Sequence, residues 1–266
     1  MGDAIDRAEG RRLFGADPAA YEAARPPYPD WIFEALVREG GLTTGSAVLE
    51  IGAGPGTATR QLLEHGAEPL WVVEPDTQFE AGLRRLLGGS GKVTELHVAP
   101  FETVSLPEQH FDLLVSATAF HWIAPALGLS KAHRLLKPGG AAALFWNVLQ
   151  VLDRADEFHD RTASLLKDLA ASPSGAPDTL PFALDQQARR REALAAGFEE
   201  VAYRESCWRY RLDTAGVVAL YGGFSAIARL PEAERGRLLD ALAAIADRDF
   251  GGVVERNVTS CLYLMR

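Results

Sequence analysis

From residue 47 onward, short apolar runs alternate with stretches in which apolar residues recur every three or four positions. The runs 47–51, 70–74, 95–98, 111–116 and 141–146 are too short for helices and read as strands buried on both faces. Between the first two, residues 57–65 carry Ala58, Leu62 and Leu63 at helical spacing. After the second, Asp76 stands where it can cap a helix holding Phe79, Leu83, Leu86 and Leu87. The segment AHRLLKPGG ends a helix with a lysine, a proline and two glycines, a stop signal ahead of the next strand. This βα alternation predicts an α/β fold: a parallel sheet with helices on both faces.

The flanks obey other patterns. An arm, FGADPAAYEAARPPYPDWIFEAL, precedes the sheet; Pro26, Pro27 and Pro29 interrupt any continuous helix, and a new helix is expected after Pro29. Beyond the fifth strand, 153–170 reads as a helix, ASPSGAPDTLP as a loop that could serve as a lid or hinge, and 194–198 as the end of another helix at Gly197. Residues 201–211 alternate apolar and polar as an antiparallel strand would. Helical segments around 217–221 and 232–248 and a terminal strand over 256–265 complete the chain. One domain is expected: an arm over 1–45, a βα core over 46–150, and further helices with the final strands over 151–266.

Composition narrows the classes. With 47% hydrophobic and 24% charged residues, 266 residues can bury a sizeable core and fold unaided. A formal charge of −9 repels polyanions, and Arg189, Arg190 and Arg191 are the one short basic run, so nucleic acid is not an expected partner. Two cysteines, Cys207 and Cys261, match neither a disulfide framework nor paired zinc-ligand spacing, and reduced thiols are expected. MGDAIDRAEGRRLF has charges throughout and no apolar centre, unlike a signal peptide, and no apolar run reaches 18 residues. A cytoplasmic location and no membrane partner follow as expectations.

The chemistry is concentrated after the first strand. VLEIGAGPG puts Gly52, Gly54 and Gly56 between a buried strand and a helix, where missing side chains let a ligand approach the backbone. The spacing is GxGxG with Glu50 two residues upstream; a dinucleotide fingerprint would need a small residue at Thr57, and no P-loop lysine follows. The second strand ends in WVVEPD, with Glu74 at the distance from the glycines expected of a ribose-binding acid. Asp76 competes for that role but stands where a helix cap is needed.

The series EIGAGPG, VVEPD, FDLLVSATAFHW and HRLLKPGGAAALFW resembles the motif series of class I S-adenosylmethionine-dependent methyltransferases over roughly residues 21–147. Tyr21, Arg25, Pro26, Tyr28 and Pro29 further resemble a YxxxRPxYP element of a bacterial small-molecule branch, similar to methyltransferase types 11 and 25. The resemblance implies a Rossmann-like seven-stranded, mostly parallel sheet whose last strand is antiparallel, with S-adenosylmethionine at the carboxyl ends of the first two strands. It assigns Glu50, Gly52, Gly54 and Gly56 to the methionine portion and Glu74, with Pro75, to the ribose. Phe101 and Glu102 would flank the adenine, Ser116 and Ala117 the sulfonium, and Tyr21 and Arg25 would close over the cofactor, Arg25 suiting its carboxylate.

A sulfonium methyl is already activated, so such a protein chiefly aligns an acceptor and excludes water. His121 follows the fourth strand, where it could be a general base or could simply shape the pocket. Trp122, Trp146, Asn147, Tyr221 and Phe224 are the expected acceptor contacts, with Trp208, Tyr210 and Arg229 as further candidates. The histidines show no HxH or HExxH spacing, so no metal is expected. The expected function is methyl transfer to a small-molecule acceptor by a monomer or homodimer. The alternatives are a module that binds S-adenosylmethionine or S-adenosylhomocysteine without transferring methyl, and a nicotinamide-dependent oxidoreductase.

Overall fold

The structure, a computed structural model, describes residues 5–11, 25–175 and 179–266. Its centre is one seven-stranded sheet in the order β3-β2-β1-β4-β5-β7-β6. These strands are β1 (Val48–Ile51), β2 (Leu70–Val73), β3 (Thr94–His97), β4 (Phe111–Ala117), β5 (Leu136–Val148), β6 (Val201–Asp213) and β7 (Val253–Met265). β1 to β5 pair in parallel, and β7 runs antiparallel to both β5 and β6. This is the fold class that the residues and the resemblance imply. Val48, Leu49, Glu50 and Ile51 are all buried because β1 lies between two neighbours and under helices on both faces.

One face is covered by α2 (Asp30–Arg38), α3 (Thr57–Glu64) and α4 (Glu80–Gly89), whose Ile32, Phe33, Leu36, Leu62, Leu63, Leu83 and Leu87 pack on Val48, Val72, Leu113 and Phe145. The other is covered by α5 (Pro125–Leu135) and α7 (Gln186–Ala195). α6 (Glu157–Leu166), α8 (Thr214–Gly222), α9 (Ser225–Ala228) and α10 (Glu232–Phe250) build a separate apolar cluster with the outer ends of β6 and β7. A short α1 (Arg7–Gly10), capped by the Asp6 carboxylate, lies against the turn after β4.

Several boundaries move for local reasons. The helix expected over 153–170 shrinks to Glu157–Leu166 because the Asp156 carboxylate accepts the His159 N–H at 2.9 Å and sets the start there. β5 begins at Leu136 rather than 141: Leu136 pairs with Phe111, and the Pro138-Gly139-Gly140 segment is absorbed as an irregularity before the register resumes at Leu113 and Ala141. Part of the expected ASPSGAPDTLP loop, 176–178, lies outside the described residues. Asp76 caps as expected, its carboxylate accepting the Gln78 N–H at 3.0 Å.

Candidate functional site

The parallel strands point their carboxyl ends toward one edge of the sheet, and the strand order reverses between β1 and β4, where α/β sheets open a crevice. At that edge β1 turns into α3 through a bend with φ of 72° at Gly52, 56° at Gly54 and 92° at Gly56. The three glycines are needed for different reasons. A Cβ on Gly52 would stand 2.4 Å from Ala119 Cβ and one on Gly56 2.5 Å from Leu86 Cδ2, whereas one on Gly54 would meet nothing within 4 Å. Packing therefore excludes a side chain at the outer two, and Gly54 faces open space.

Glu74 is tied to this bend. Its Oε2 accepts the Gly54 N–H and its Oε1 the Asp76 N–H, both at 2.8 Å. Burial pushes its carboxyl up to about 7, against the opposing pull of those two N–H groups. Glu50 lies directly behind, fully buried, and burial likewise pushes it up to about 7 although the Thr59 hydroxyl donates to Oε2 at 2.6 Å; the Glu74 charge adds to the rise. Its Oε1 finds no donor among the described residues. A buried acceptor left without a donor costs on the order of 1–3 kcal/mol, which an incoming ammonium or hydroxyl would recover. An open cradle at Gly54, a carboxylate beside it and an unanswered acceptor behind it fit a ligand carrying both an amino group and sugar hydroxyls. Pro75 is half-buried beside Glu74.

Beyond β3, Phe101 is buried and Glu102 half-buried. Two cations that sequence reasoning missed organise this turn. Lys131 of α5 is itself buried; its Nζ donates to the Phe101 carbonyl at 2.6 Å and to the Val104 carbonyl, and lies 5.0 Å from the Phe101 ring centre. Arg11 forms a fork on Glu102, Nη1 to Oε2 at 2.9 Å and Nη2 to Oε1, while its Nε donates to the Trp122 carbonyl at 3.2 Å. Burial pushes the Glu102 carboxyl up, but the Arg11 bonds and charge and the Lys131 charge outweigh it and hold the group below the ordinary range. Nothing in an R-R pair within a charged terminus, or in one lysine of an amphipathic helix, announces these partners.

Several residues expected to line the pocket make hydrogen bonds within the protein itself. The Ser116 hydroxyl is fully buried and donates to the Ile51 carbonyl at 3.0 Å, locking β4 to β1, so Ala117 alone of that pair is partly accessible. Asn147 spends its amide on the arm: Nδ2 donates to the Pro26 and Pro27 carbonyls at 2.8 and 3.1 Å, and Oδ1 accepts the Ser260 hydroxyl. Tyr221 is 1% exposed, with its hydroxyl bonded to the buried Arg256, and belongs to the cluster of the outer helices. Arg256 in turn pairs with Asp156 at 2.8 Å. Trp146 is also buried, its indole N–H donating to His121 Nδ1 at 3.2 Å.

That last bond bears on catalysis. It occupies the Nδ1 lone pair, assigns the ring proton to Nε2, and leaves His121 no free nitrogen with which to take a proton. Burial pushes the imidazole down to about 3, and the Arg25 and Arg7 charges add to the fall. His121 is therefore a neutral, packed residue in this arrangement. Trp122 is buried beside it, its ring pressed against Gly10 of α1, where a Cβ would stand 2.1 Å from the indole. Arg25 donates to the Gly223 carbonyl at 3.0 Å and lies over the half-buried Phe224 ring. Tyr21 lies outside the described residues. Thr118, which the sequence did not flag, has φ of 51°, held by its N–H on Phe145 at 2.7 Å and by Tyr28, whose hydroxyl donates to its Oγ1 at 2.9 Å. A non-glycine residue there carries strain of roughly 1–3 kcal/mol and marks the arm's docking point on the crevice rim.

An open groove of about 680 Å³ lies at the opposite edge of the sheet, lined by residues such as Arg38, Thr43, Ser46 and Gly139. Its Lys137 and Asp112 neutralise each other at 2.9 Å, and among the described residues it offers no buried side-chain acceptor without a donor like the one behind the bend. Among the described residues, no group of three His, Cys, Asp or Glu side chains could hold a metal ion, and no helix is long and apolar enough to cross a membrane.

A family model described as a methyltransferase domain matches residues 49–144, which run from β1 into β5 and contain the bend, Glu74, Glu102 and His121. The chain is 28% identical over 230 residues to an uncharacterized methyltransferase of Schizosaccharomyces pombe, covering 85% of this chain and 84% of that one. It is 33% identical over 138 residues to an uncharacterized methyltransferase of Mycobacterium bovis, a match spanning 50% of this chain and about half, 51%, of that protein's length. Among solved structures, Haemonchus contortus phosphoethanolamine N-methyltransferase 2, in complex with phosphomonomethylethanolamine and S-adenosylhomocysteine, superposes with a TM-score of 0.59 at 15% identity over 98% of this chain and 60% of that one. The [4+2]-cyclase SpnF superposes with a TM-score of 0.59 at 13% identity over 98% and 97%. At these identities the two structures speak for the fold alone.

Proposed function

We propose, for a chain that belongs to the class I S-adenosylmethionine-dependent methyltransferase superfamily, that it moves a methyl group onto a small-molecule acceptor by in-line displacement. The observation that carries this reading is the open Gly54 backbone flanked by the two buried carboxyls of Glu74 and Glu50, one of them with an oxygen unanswered. Bound at the bend, S-adenosylmethionine supplies a methyl group on a cationic sulfur, an electrophile that needs no covalent help from the protein. Glu74 accepts the ribose hydroxyl protons, and the donor's ammonium answers Glu50 Oε1. Phe101 and Glu102 flank the adenine, and Ala117 borders the transfer point, with Arg25 on the arm side.

With His121 locked by Trp146, the protein's own contribution is positioning and exclusion of water, which favours an acceptor already nucleophilic at neutral pH. Trp122 and Phe224 supply aromatic surface near that point. The charge of −9 argues against a nucleic-acid acceptor. A second reading, a module that binds the donor without transferring methyl, draws support from the occupied Nδ1 of His121. Calorimetric titration with S-adenosylmethionine and S-adenosylhomocysteine, followed by mass spectrometry of a panel of amines, thiols and acids incubated with the donor, tests both. Micromolar binding with at least one methylated acceptor supports transfer; binding without any product across the panel supports the second reading; binding of neither ligand overturns both.

A further inference from the structure

Arg11 stands at a junction of the fold that the motif series does not include. Its side chain is only 13% exposed and that of Glu102 17%. Both Glu102 oxygens are taken by the guanidinium fork, and Nε and Nη2 both donate to the Trp122 carbonyl. The Arg11 charge also acts on Glu74 across the bend, so one cation faces the carboxylates on both sides of the nucleoside site. The rest of its segment is fixed independently: Asp6 caps α1, Arg7 Nε donates to the His121 carbonyl at 3.3 Å, Gly10 packs on the Trp122 ring, and the Ile5 N–H donates to the Ala171 carbonyl at 2.9 Å. Arg11 is thus held in place rather than trailing from a loose end.

We propose that Arg11 is a positioning residue that fixes Glu102 as an ionised, acceptor-only carboxylate and thereby makes the site selective for a 6-aminopurine over a 6-oxopurine. This rests on the proposed function, in which Glu102 flanks the adenine. The physical argument is one of donors and acceptors. A forked guanidinium leaves each carboxylate oxygen one further lone pair, suited to the amino N–H of adenine and repelled by the carbonyl of hypoxanthine. The groups facing Glu102 are Arg11 from the amino-terminal segment and Lys131 from α5. Without Arg11, burial, which pushes the carboxyl up, is opposed only by Lys131 among the charged groups, and a carboxyl that takes up a proton becomes a donor that can pair with the 6-oxo group. The discrimination then collapses and becomes dependent on pH.

The test is calorimetric, on the full chain, with S-adenosylhomocysteine and its deaminated analogue S-inosylhomocysteine between pH 6 and 8. Wild type is expected to prefer the amino compound by about tenfold or more at every pH, one well-made hydrogen bond to a charged group being worth about that factor. Arg11→Gln should reduce the preference to less than about threefold and make it rise with pH. Glu102→Gln, whose amide can offer either a donor or an acceptor, should abolish the preference with Arg11 intact. Arg11→Lys, which keeps charge without the fork, should recover pH independence, and circular dichroism checks that each variant is folded. Equal weakening of both ligands in Arg11→Gln, with their ratio and its pH independence preserved, would show a merely structural residue and overturn the proposal. So would a gain in affinity, which would make Arg11 a plug. If Arg11→Gln fails to fold, Glu102→Gln decides: an undiminished preference there also overturns it. Wild-type protein that binds neither ligand overturns the functional reading itself.

Discussion

Replacing Gly54 by alanine separates the needs of the fold from those of the ligand. At φ of 56° an alanine adopts the left-handed region at a cost of roughly 1–2 kcal/mol. No atom lies within 4 Å of the new methyl, so packing adds nothing to that cost. For a chain of this size the loss corresponds to a fall in Tm of about 2–8 °C, and the protein stays folded. The methyl, however, fills the side from which a ligand approaches the backbone, and displacing a donor by even a fraction of an ångström forfeits more than one hydrogen bond. Affinity for S-adenosylhomocysteine should fall at least about tenfold, equivalent to about 1.4 kcal/mol. Gly52→Ala is the control: a similar φ of 72°, but a Cβ 2.4 Å from Ala119, so its damage goes to stability first. Differential scanning calorimetry and isothermal titration calorimetry read the two quantities. A folded Gly54→Ala protein that binds as tightly as wild type would refute the assignment of the bend as the cradle.

Other consequences follow from the same geometry. Glu50 has a carboxyl raised from an unfolded value of 4.5 to about 7, so the fold binds more protons than the unfolded chain in that window, and Glu50's contribution to stability declines as pH rises through it. Glu50→Gln removes that penalty, up to about 3 kcal/mol, so its Tm should gain on wild type between pH 5 and 8 without ligand; a constant gap would show that Glu50 is not buried as described. His121→Gln should leave kcat within about tenfold of wild type and add no inflection to the pH–rate profile, since the ring stays neutral with its lone pair occupied; a hundredfold loss would restore the base. Arg256→Met strands the buried Asp156 carboxylate and should cost about 3–5 kcal/mol in urea unfolding while the folded fraction binds S-adenosylhomocysteine normally; weakened binding would put that ion pair in the site. Glu74→Ala should weaken S-adenosylhomocysteine by about 1–3 kcal/mol by calorimetry, and unchanged affinity would move the ribose contact elsewhere.

How far the sequence was legible depended on whether a residue's duty is local. Strands β1, β2 and β4 announced themselves because central parallel strands are apolar on both faces, and Asp76 because a helix cap is satisfied within two residues of itself. The glycine bend was legible as a bend, yet only the fold shows that Gly52 and Gly56 yield to packing while Gly54 faces open space. For Ser116, Asn147 and Tyr221 the intramolecular partners were not legible, for one reason: a polar group at a strand or helix end reads alike whether it meets a ligand or a distant stretch of backbone. Asn147 meets the arm 120 residues away, and Tyr221 an arginine 35 residues away. Arg11 and Lys131 were invisible by the same logic, since their partners lie 91 and 30 residues distant and no spacing encodes such meetings.

The central claim is that an adenosyl donor lies across the bend with its sugar on Glu74. Crystals grown with S-adenosylhomocysteine test it most directly. The account predicts density against the Gly54 backbone, both ribose hydroxyls within about 3 Å of the Glu74 carboxylate, and an amino group beside Glu50 Oε1. Density elsewhere, or a bend left empty at saturating ligand with Glu74 still bonded only to Gly54 and Asp76, would contradict it.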